Sequence, residues 1–428
     1  MNKNKLQEFR TLIEEHFSEA NKKNFFSNKL KIPLAVPPFG TDEVLEALES
    51  LLTKQTTMGK KVKKFEDLFS NYIGTKFSLM VNSGSSANLL ALTILSNPYF
   101  GKNRIDYGDE VITPAVTWST TVYPIVNVGA IPNFVDVKLN DFNIDIDKIE
   151  SAISNKTKAI MIVHLLGCPC DILEIKKIAK KHNLWLIEDS CEAHGARFKG
   201  KHVGSFGDIS TFSFFASHHI TTMEGGMVST NNKKICEIGK SIRAFGWTRD
   251  MSKKKEIEKK HPYVDPRFLF VNIGYNFRPT ELQGGFGIHQ ITKLDNYVDI
   301  RIENAEYWNR IFSNLSEYII TPKINPDRKN SYLFYPLTVV KNKFFTKDEL
   351  VRYLEKNGIE TRPIMTGNIV EQPVSKLFKF KVTGDLENSR YIMRNSFAIG
   401  NHHEINESKR KFIANIITRF IENTIKNY

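Results

Sequence analysis

The run Phe77-Ser78-Leu79-Met80-Val81-Asn82-Ser83-Gly84-Ser85-Ser86-Ala87-Asn88-Leu89-Leu90-Ala91-Leu92-Thr93-Ile94-Leu95 decides the fold. It opens as an apolar, strand-prone block, breaks at a Ser-Gly turn and continues from Leu89 as an apolar helical pattern. That is a strand feeding a helix, and the chain on either side shows whether the unit recurs.

Downstream it does. Apolar strands at Glu110-Thr113, Pro132-Val135, Ala159-Leu165 and Leu184-Glu188 alternate with helical patterns beginning near Ser119, Asp145 and Asp171. Such alternation predicts an α/β domain whose largely parallel sheet is covered on both faces. Ligands of such sheets gather at the carboxyl ends of the strands. Further on, Phe212-Ser213-Phe214-Phe215 leads into a polar turn with adjacent His218 and His219, and Gly225-Gly226 opens the strand Met227-Val228-Ser229. Taken alone, this is a hairpin with two surface histidines.

Upstream, Leu6, Phe9, Leu12, Ile13 and Phe17 recur at helical spacing within residues 4–23, and a second helix is expected from Thr41 to Leu52. After Asp299 the pattern changes to a long helix, Arg301–Leu315, a strand at Tyr332–Val339 and a helix from Thr346 to Asn357. Three units are expected: an N-terminal helical extension (1–31), a large α/β domain (32–299) and a smaller α+β domain (300–428).

Basic residues exceed acidic ones by 13 in 428. They are scattered, and the one dense run, Lys253-Lys254-Lys255 with Lys259-Lys260, is interrupted by Glu256 and Glu258. The expectation is therefore no nucleic acid, while the charge still suits a small phosphorylated ligand. No apolar run reaches membrane-spanning length and the first residues lack a signal peptide's apolar segment, which predicts a cytoplasmic protein with no membrane partner. Cys168, Cys170, Cys191 and Cys236 have neither zinc nor redox spacing, so neither a metal nor a disulfide is expected.

Candidate chemistry lies at the strand ends. Gly84 lets backbone approach closely, Ser85 and Ser86 offer hydroxyls, and the N–H groups opening a helix favour an anion; together they form a phosphate cradle. Asp189 ends the strand Leu184-Glu188 where a carboxylate can keep an aromatic ring nitrogen protonated, and Trp118 can stack on such a ring. Each has a plain structural reading too: a capping turn, a helix cap and a core aromatic.

Cradle, carboxylate, aromatic and histidine turn follow in the order and at roughly the intervals of a pyridoxal-phosphate enzyme. Residues 32 to about 425 resemble the sugar aminotransferase family named after DegT, DnrJ, EryC1 and StrS. The resemblance implies the aspartate aminotransferase (PLP-dependent transferase type I) fold, a mixed, mostly parallel sheet plus a smaller C-terminal domain. In that family the lysine that binds the cofactor covalently sits where His218 stands here, and this chain has no lysine between Lys201 and Lys233. Histidine there marks the nucleotide-sugar 3-dehydratase branch. Ser217-His218-His219-Ile220, Arg243-Ala244-Phe245-Gly246-Trp247-Thr248-Arg249, Gly274-Tyr275-Asn276-Phe277-Arg278-Pro279 and Arg362-Pro363-Ile364-Met365-Thr366-Gly367-Asn368 look most like its colitose-type members, which act on GDP-4-keto-6-deoxy-D-mannose. A sister type carries an iron–sulfur cluster on cysteines after the histidine turn. No cysteine follows Cys236, so no cluster is expected.

Carried over residue by residue, the resemblance gives His218 the acid–base role, Asp189 the pyridine nitrogen, Trp118 the ring face, and Gly84, Ser85 and Ser213 the phosphate. Glu192 approaches the ring hydroxyl, and Asn276 reaches the phosphate from the neighbouring subunit of a homodimer. His219, Arg243, Arg249, Arg278 and Arg362 are candidates for substrate diphosphate or for the carboxylate of glutamate, the amino donor that the resemblance implies. Imidazole, with a reference pKa near ~6.5, transfers protons but cannot take over lysine's covalent hold on the cofactor. The cofactor is therefore expected to act as pyridoxamine phosphate, regenerated from the aldehyde form by amino transfer from glutamate. The rival readings are a nucleotide-sugar aminotransferase and a non-catalytic relative with a regulatory role.

Overall fold

The computed structural model describes residues 3–25, 32–323 and 325–427. Residues 1–2 and 26–31 of the expected N-terminal extension thus lie outside the described residues. The opening run folds as read, with β1 (Phe77–Val81) turning at Asn82-Ser83 into α4 (Gly84–Leu95). Before it come α1 (Lys3–Phe25), α2 (Thr41–Leu52) and α3 (Lys60–Ile73).

The repeating units build one eight-stranded sheet. Its strands are β1, β2 (Glu110–Pro114), β3 (Ile131–Val135), β4 (Thr157–Val163), β5 (Trp185–Asp189), β6 (Ile209–Ser213), β7 (Gly226–Thr230) and the late strand 381–383, in the order β1-β7-β6-β5-β4-β2-β3 and then 381–383. Every neighbouring pair is parallel except those of β7, which runs antiparallel to both β1 and β6. The carboxyl ends of β1, β2, β5 and β6 therefore share one edge, and β7 begins there.

Strand side chains alternate between faces. Val111, Met161, Ile187 and Val228 pack with Leu90, Ala91 and Ile94 of α4 on one face, while Ile112, Ile160, Ile162 and Leu186 pack with Ile172, Ile175 and Ala179 of the helix Ile172–Lys181 on the other. Both faces are covered, as a parallel sheet requires. A further cluster of Phe65, Phe69, Phe212, Phe214 and Met227 binds α3 to the histidine hairpin.

Two readings change. The helix expected from Asp145 is one turn, Ile146–Ile149, before the chain turns into β4. The long helix starts at Glu281, not Arg301, and runs unbroken to Phe312, so position 299/300, the expected domain boundary, lies inside it. Gly284, Gly285 and Gly287 obscured its start in the sequence. They permit close packing: a Cβ on Gly287 would stand 2.4 Å from the Phe65 ring, and Phe65 belongs to α3. Beyond it, strands at 319–320, 334–339, 396–400 and 361–363 form a four-stranded antiparallel sheet packed on Trp308 and Phe312.

On α1, Arg10 reaches Asp42 of α2 at 2.8 Å while Phe9 and Leu12 are exposed. None of the described helices is long and apolar enough to cross a membrane.

Candidate active site

At the shared strand edge lies a cavity of about 330 Å³. Alternation along β5 sends Glu188 and Asp189 to opposite sides: Glu188 takes His164 Nε2 at 3.0 Å and the amides of Gly204 and Phe206, and Asp189 faces the cavity. Asp189 is buried and held by three donors. Its Oδ2 accepts from Asn88 Nδ2 of α4 at 2.9 Å and from Thr121 Oγ1 of the helix Ser119–Asn127 at 2.8 Å, while Oδ1 accepts from the Cys191 amide at 3.2 Å. Thr211 of β6 in turn donates to Asn88, and Thr117 to Thr121.

The α4 N-terminus forms the floor. Ser83 caps it through the Ser86 amide at 3.1 Å, leaving Gly84 and Ser85 on the cavity beside Ser213. A Cβ on Gly84 would stand 2.4 Å from that of Ser213, so only glycine lets the α4 N-terminus lie this close to the end of β6. Trp118, half exposed, stands at the mouth one residue before its helix begins.

Glu192 is buried, and desolvation pushes its carboxyl up to about 7 against a 2.8 Å hydrogen bond from the Leu166 amide. His218 lines the cavity; burial, reinforced by the Arg301 guanidinium, lowers its imidazole to about 4. Its Nδ1 has no hydrogen-bond partner. Arg301 is itself buried, and its Nη1 donates to the carbonyls of Leu333 at 2.8 Å and Tyr332 at 3.3 Å. Among the described residues no lysine lines the cavity.

Eight of the expected site residues meet here: Gly84, Ser85, Trp118, Asp189, Glu192, Ser213, His218 and Arg362. The others do not. Ser86 is engaged with Ser83. His219 turns away and donates from Nε2 to the Ser331 carbonyl at 3.0 Å, since neighbouring side chains of a turn face different ways. Arg243 is buried against Glu66 at 2.6 Å and the Met80 carbonyl at 2.8 Å, which makes it an internal ion pair of its own chain. Arg249 and Arg278 lie over the Trp247 ring, Arg278 also over Phe245 at 4.7 Å, and Asn276 is exposed beside Arg278 Nε at 3.0 Å. Sequence reading gave no role to Asn88, Thr121 or Arg301. A polar Asn within the apolar run of α4 was the available signal for the first.

The profile of the DegT/DnrJ/EryC1/StrS aminotransferase family matches residues 39–418. The chain belongs to this family. Its sheet with β7 reversed, and the site at the strand ends, is the aminotransferase-like fold. Among family members, the GDP-4-keto-6-deoxy-D-mannose 3-dehydratase of Yersinia pseudotuberculosis is 39% identical, aligned over 91% of this chain and 99% of its own. The E. coli GDP-4-keto-6-deoxy-D-mannose-3-dehydratase with bound hydrated PLP superposes with a TM-score of 0.85 at 37% identity, covering 91% of this chain and all of that one. A crystal structure of a GDP-4-keto-6-deoxymannose-3-dehydratase with a trapped PLP-glutamate geminal diamine gives 0.84 at 37% identity, over 90% and 100%.

Proposed function

We propose that the protein is a nucleotide-sugar 3-dehydratase that uses pyridoxal and pyridoxamine phosphate, takes glutamate as amino donor and removes the C3 hydroxyl of GDP-4-keto-6-deoxy-D-mannose on the way to a 3,6-dideoxysugar. One observation carries the reading: the cavity has a carboxylate braced by three donors and a helix-end cradle, yet a histidine, His218, and among the described residues no lysine.

These residues fit a phosphorylated pyridine. A carboxylate fixed on both oxygens suits a ring N–H, and the Gly84 approach leaves a close-walled bed of backbone N–H groups for phosphate. When bound, the cofactor supplies an amine for the 4-keto group and a ring that accepts electrons as the 3-hydroxyl departs. Asp189 holds the ring nitrogen, Trp118 covers the ring, and Gly84, Ser85 and Ser213 hold the phosphate. Glu192, neutral over much of the acid range, hydrogen-bonds the ring hydroxyl. His218, kept neutral by burial, removes the proton at cofactor carbon C4′ and returns it to the leaving hydroxyl. Arg362, on the cavity wall over Phe334 at 4.9 Å, takes a carboxylate or diphosphate.

The protein acts as a cytoplasmic homodimer. Asn276 is exposed and apart from its own cavity, which suits a residue reaching the partner's phosphate. Apart from the strand 381–383, which joins the large sheet, the residues from about 300 onward form the smaller lobe beside the strand ends. Incubation with pyridoxal phosphate, glutamate and GDP-4-keto-6-deoxy-D-mannose tests the reading. Ammonia release with loss of the 3-hydroxyl supports it, and a stable 4-amino sugar would establish the aminotransferase instead.

A further inference from the structure

Behind the cavity wall, His218 meets a second imidazole. His194 is wholly buried in an aromatic box of Phe69, Phe212 and Phe214, their ring centroids 6.5, 5.6 and 5.5 Å from its own. On its other side stand His218, edge-on at 6.0 Å, and His219, tilted at 5.7 Å. Neither nitrogen of His194 has a hydrogen-bond partner, and neither does Nδ1 of His218 or of His219.

An imidazole in an apolar box loses its hydrogen bonds to water and gains nothing that a phenylalanine of similar size would not supply. Unpartnered buried nitrogens call for a reason. Here the polar ring stands beside two other histidine rings, each with an unpartnered Nδ1, and one of those histidines lines the cavity.

We propose that His194 is a positioning residue for His218, fixing its tautomer and ring orientation through the Nδ1 edge. The inference rests on the reading of His218 as the acid–base group. The two nitrogens of a histidine are distinct, and what one of them meets decides which carries the proton. His219 commits its Nε2 to the Ser331 carbonyl and does not line the cavity, whereas the His218 ring does and stands 6.0 Å from that of His194. The link closes by a small ring rotation or through one bridging water. His194 does not take the proton itself: desolvation, with His218 and Arg301 adding, holds its own pKa well below the ordinary value. It accepts a hydrogen bond from His218 Nδ1–H while His218 carries the transferred proton, and holds the ring in one orientation when it does not.

The test uses full-length protein labelled with 15N-histidine, as wild type, His194→Phe and His194→Gln, with the His218 signals assigned by their loss in His218→Asn. At pH 7.5, without substrate, wild-type His218 shows one tautomer, His194→Phe a mixture of both, and His194→Gln largely one again. In turnover, His194→Phe lowers kcat at least tenfold with KM and cofactor affinity unchanged and with a thermal midpoint no lower than wild type, and His194→Gln recovers part of kcat. A wild-type 15N pattern in His194→Phe would overturn the proposal, as would a Gln variant no better than Phe in both readouts. Because the tautomer is read without substrate, a wild type that makes a 4-amino sugar sinks the dehydratase reading and leaves this test standing.

Discussion

Asn88 and Asp189, 101 positions apart, are joined side chain to side chain at 2.9 Å, tying the helix after β1 to the end of β5. The contact fixes the carboxylate that faces the proposed pyridine ring. Asn88→Ala removes a donor to a charged acceptor, worth roughly 1.5–3 kcal/mol. Cofactor affinity, titrated by absorbance, is expected to fall by about tenfold to a hundredfold, and an unchanged Kd would show that Asp189 needs no such brace.

Gly84 and Ser213 define the phosphate floor. Gly84→Ala places a Cβ 2.4 Å from Ser213 Cβ and forces the α4 N-terminus away from the end of β6. Overpacking of this kind costs about 1–3 kcal/mol, to be read as a lower thermal midpoint of the cofactor-free protein, with cofactor affinity falling alongside. Retention of both would mean that the cradle has slack.

Arg243 and Glu66 form a buried pair. Glu66→Gln leaves the guanidinium buried without its counter-charge and is expected to destabilise the fold by about 3–5 kcal/mol, while KM for the sugar nucleotide is unchanged in protein that remains folded. A raised KM at unchanged stability would return Arg243 to the substrate site.

Glu192 and His218 act oppositely on the pH dependence of stability. The Glu192 pKa is raised from 4.5 to about 7, so the native state binds more protons than the unfolded chain in that window and stability falls as pH rises through it. His218 is lowered from 6.5 to about 4, so stability is lost as pH falls from 6.5 toward 4. Glu192→Gln, which can still accept from the Leu166 amide, deletes the first effect. Denaturant midpoints of the cofactor-free variant should rise more steeply than wild type between pH 4.5 and 7, with a gain of up to about 3 kcal/mol by pH 8. Parallel curves would place the raised pKa elsewhere.

Local chemistry was legible in the sequence and long-range pairing was not. Strands such as Phe77–Val81 and the turns after them stood out because apolar periodicity and Gly-Ser punctuation are local, and Asp189, Trp118 and His218 were found because strand ends mark where a parallel sheet binds. Arg243 read as a substrate arginine because its partner lies 177 residues away, and the ion pair that buries it leaves no local trace. Asn88 and Arg301 escaped for the same reason. Gly284 and Gly287 read as breaks because the packing of the long helix on α3, which requires them, is visible only in three dimensions.

The central claim is that histidine in place of lysine turns a transaminase site into a dehydratase site. It is tested most directly by the product that purified protein makes from GDP-4-keto-6-deoxy-D-mannose with glutamate and pyridoxal phosphate, followed by mass spectrometry and an ammonia assay beside His218→Asn. The account predicts a 3-deoxy sugar and stoichiometric ammonia from wild type, and neither from His218→Asn although cofactor binding persists. A 4-amino sugar from wild type, or full turnover by His218→Asn, would contradict it.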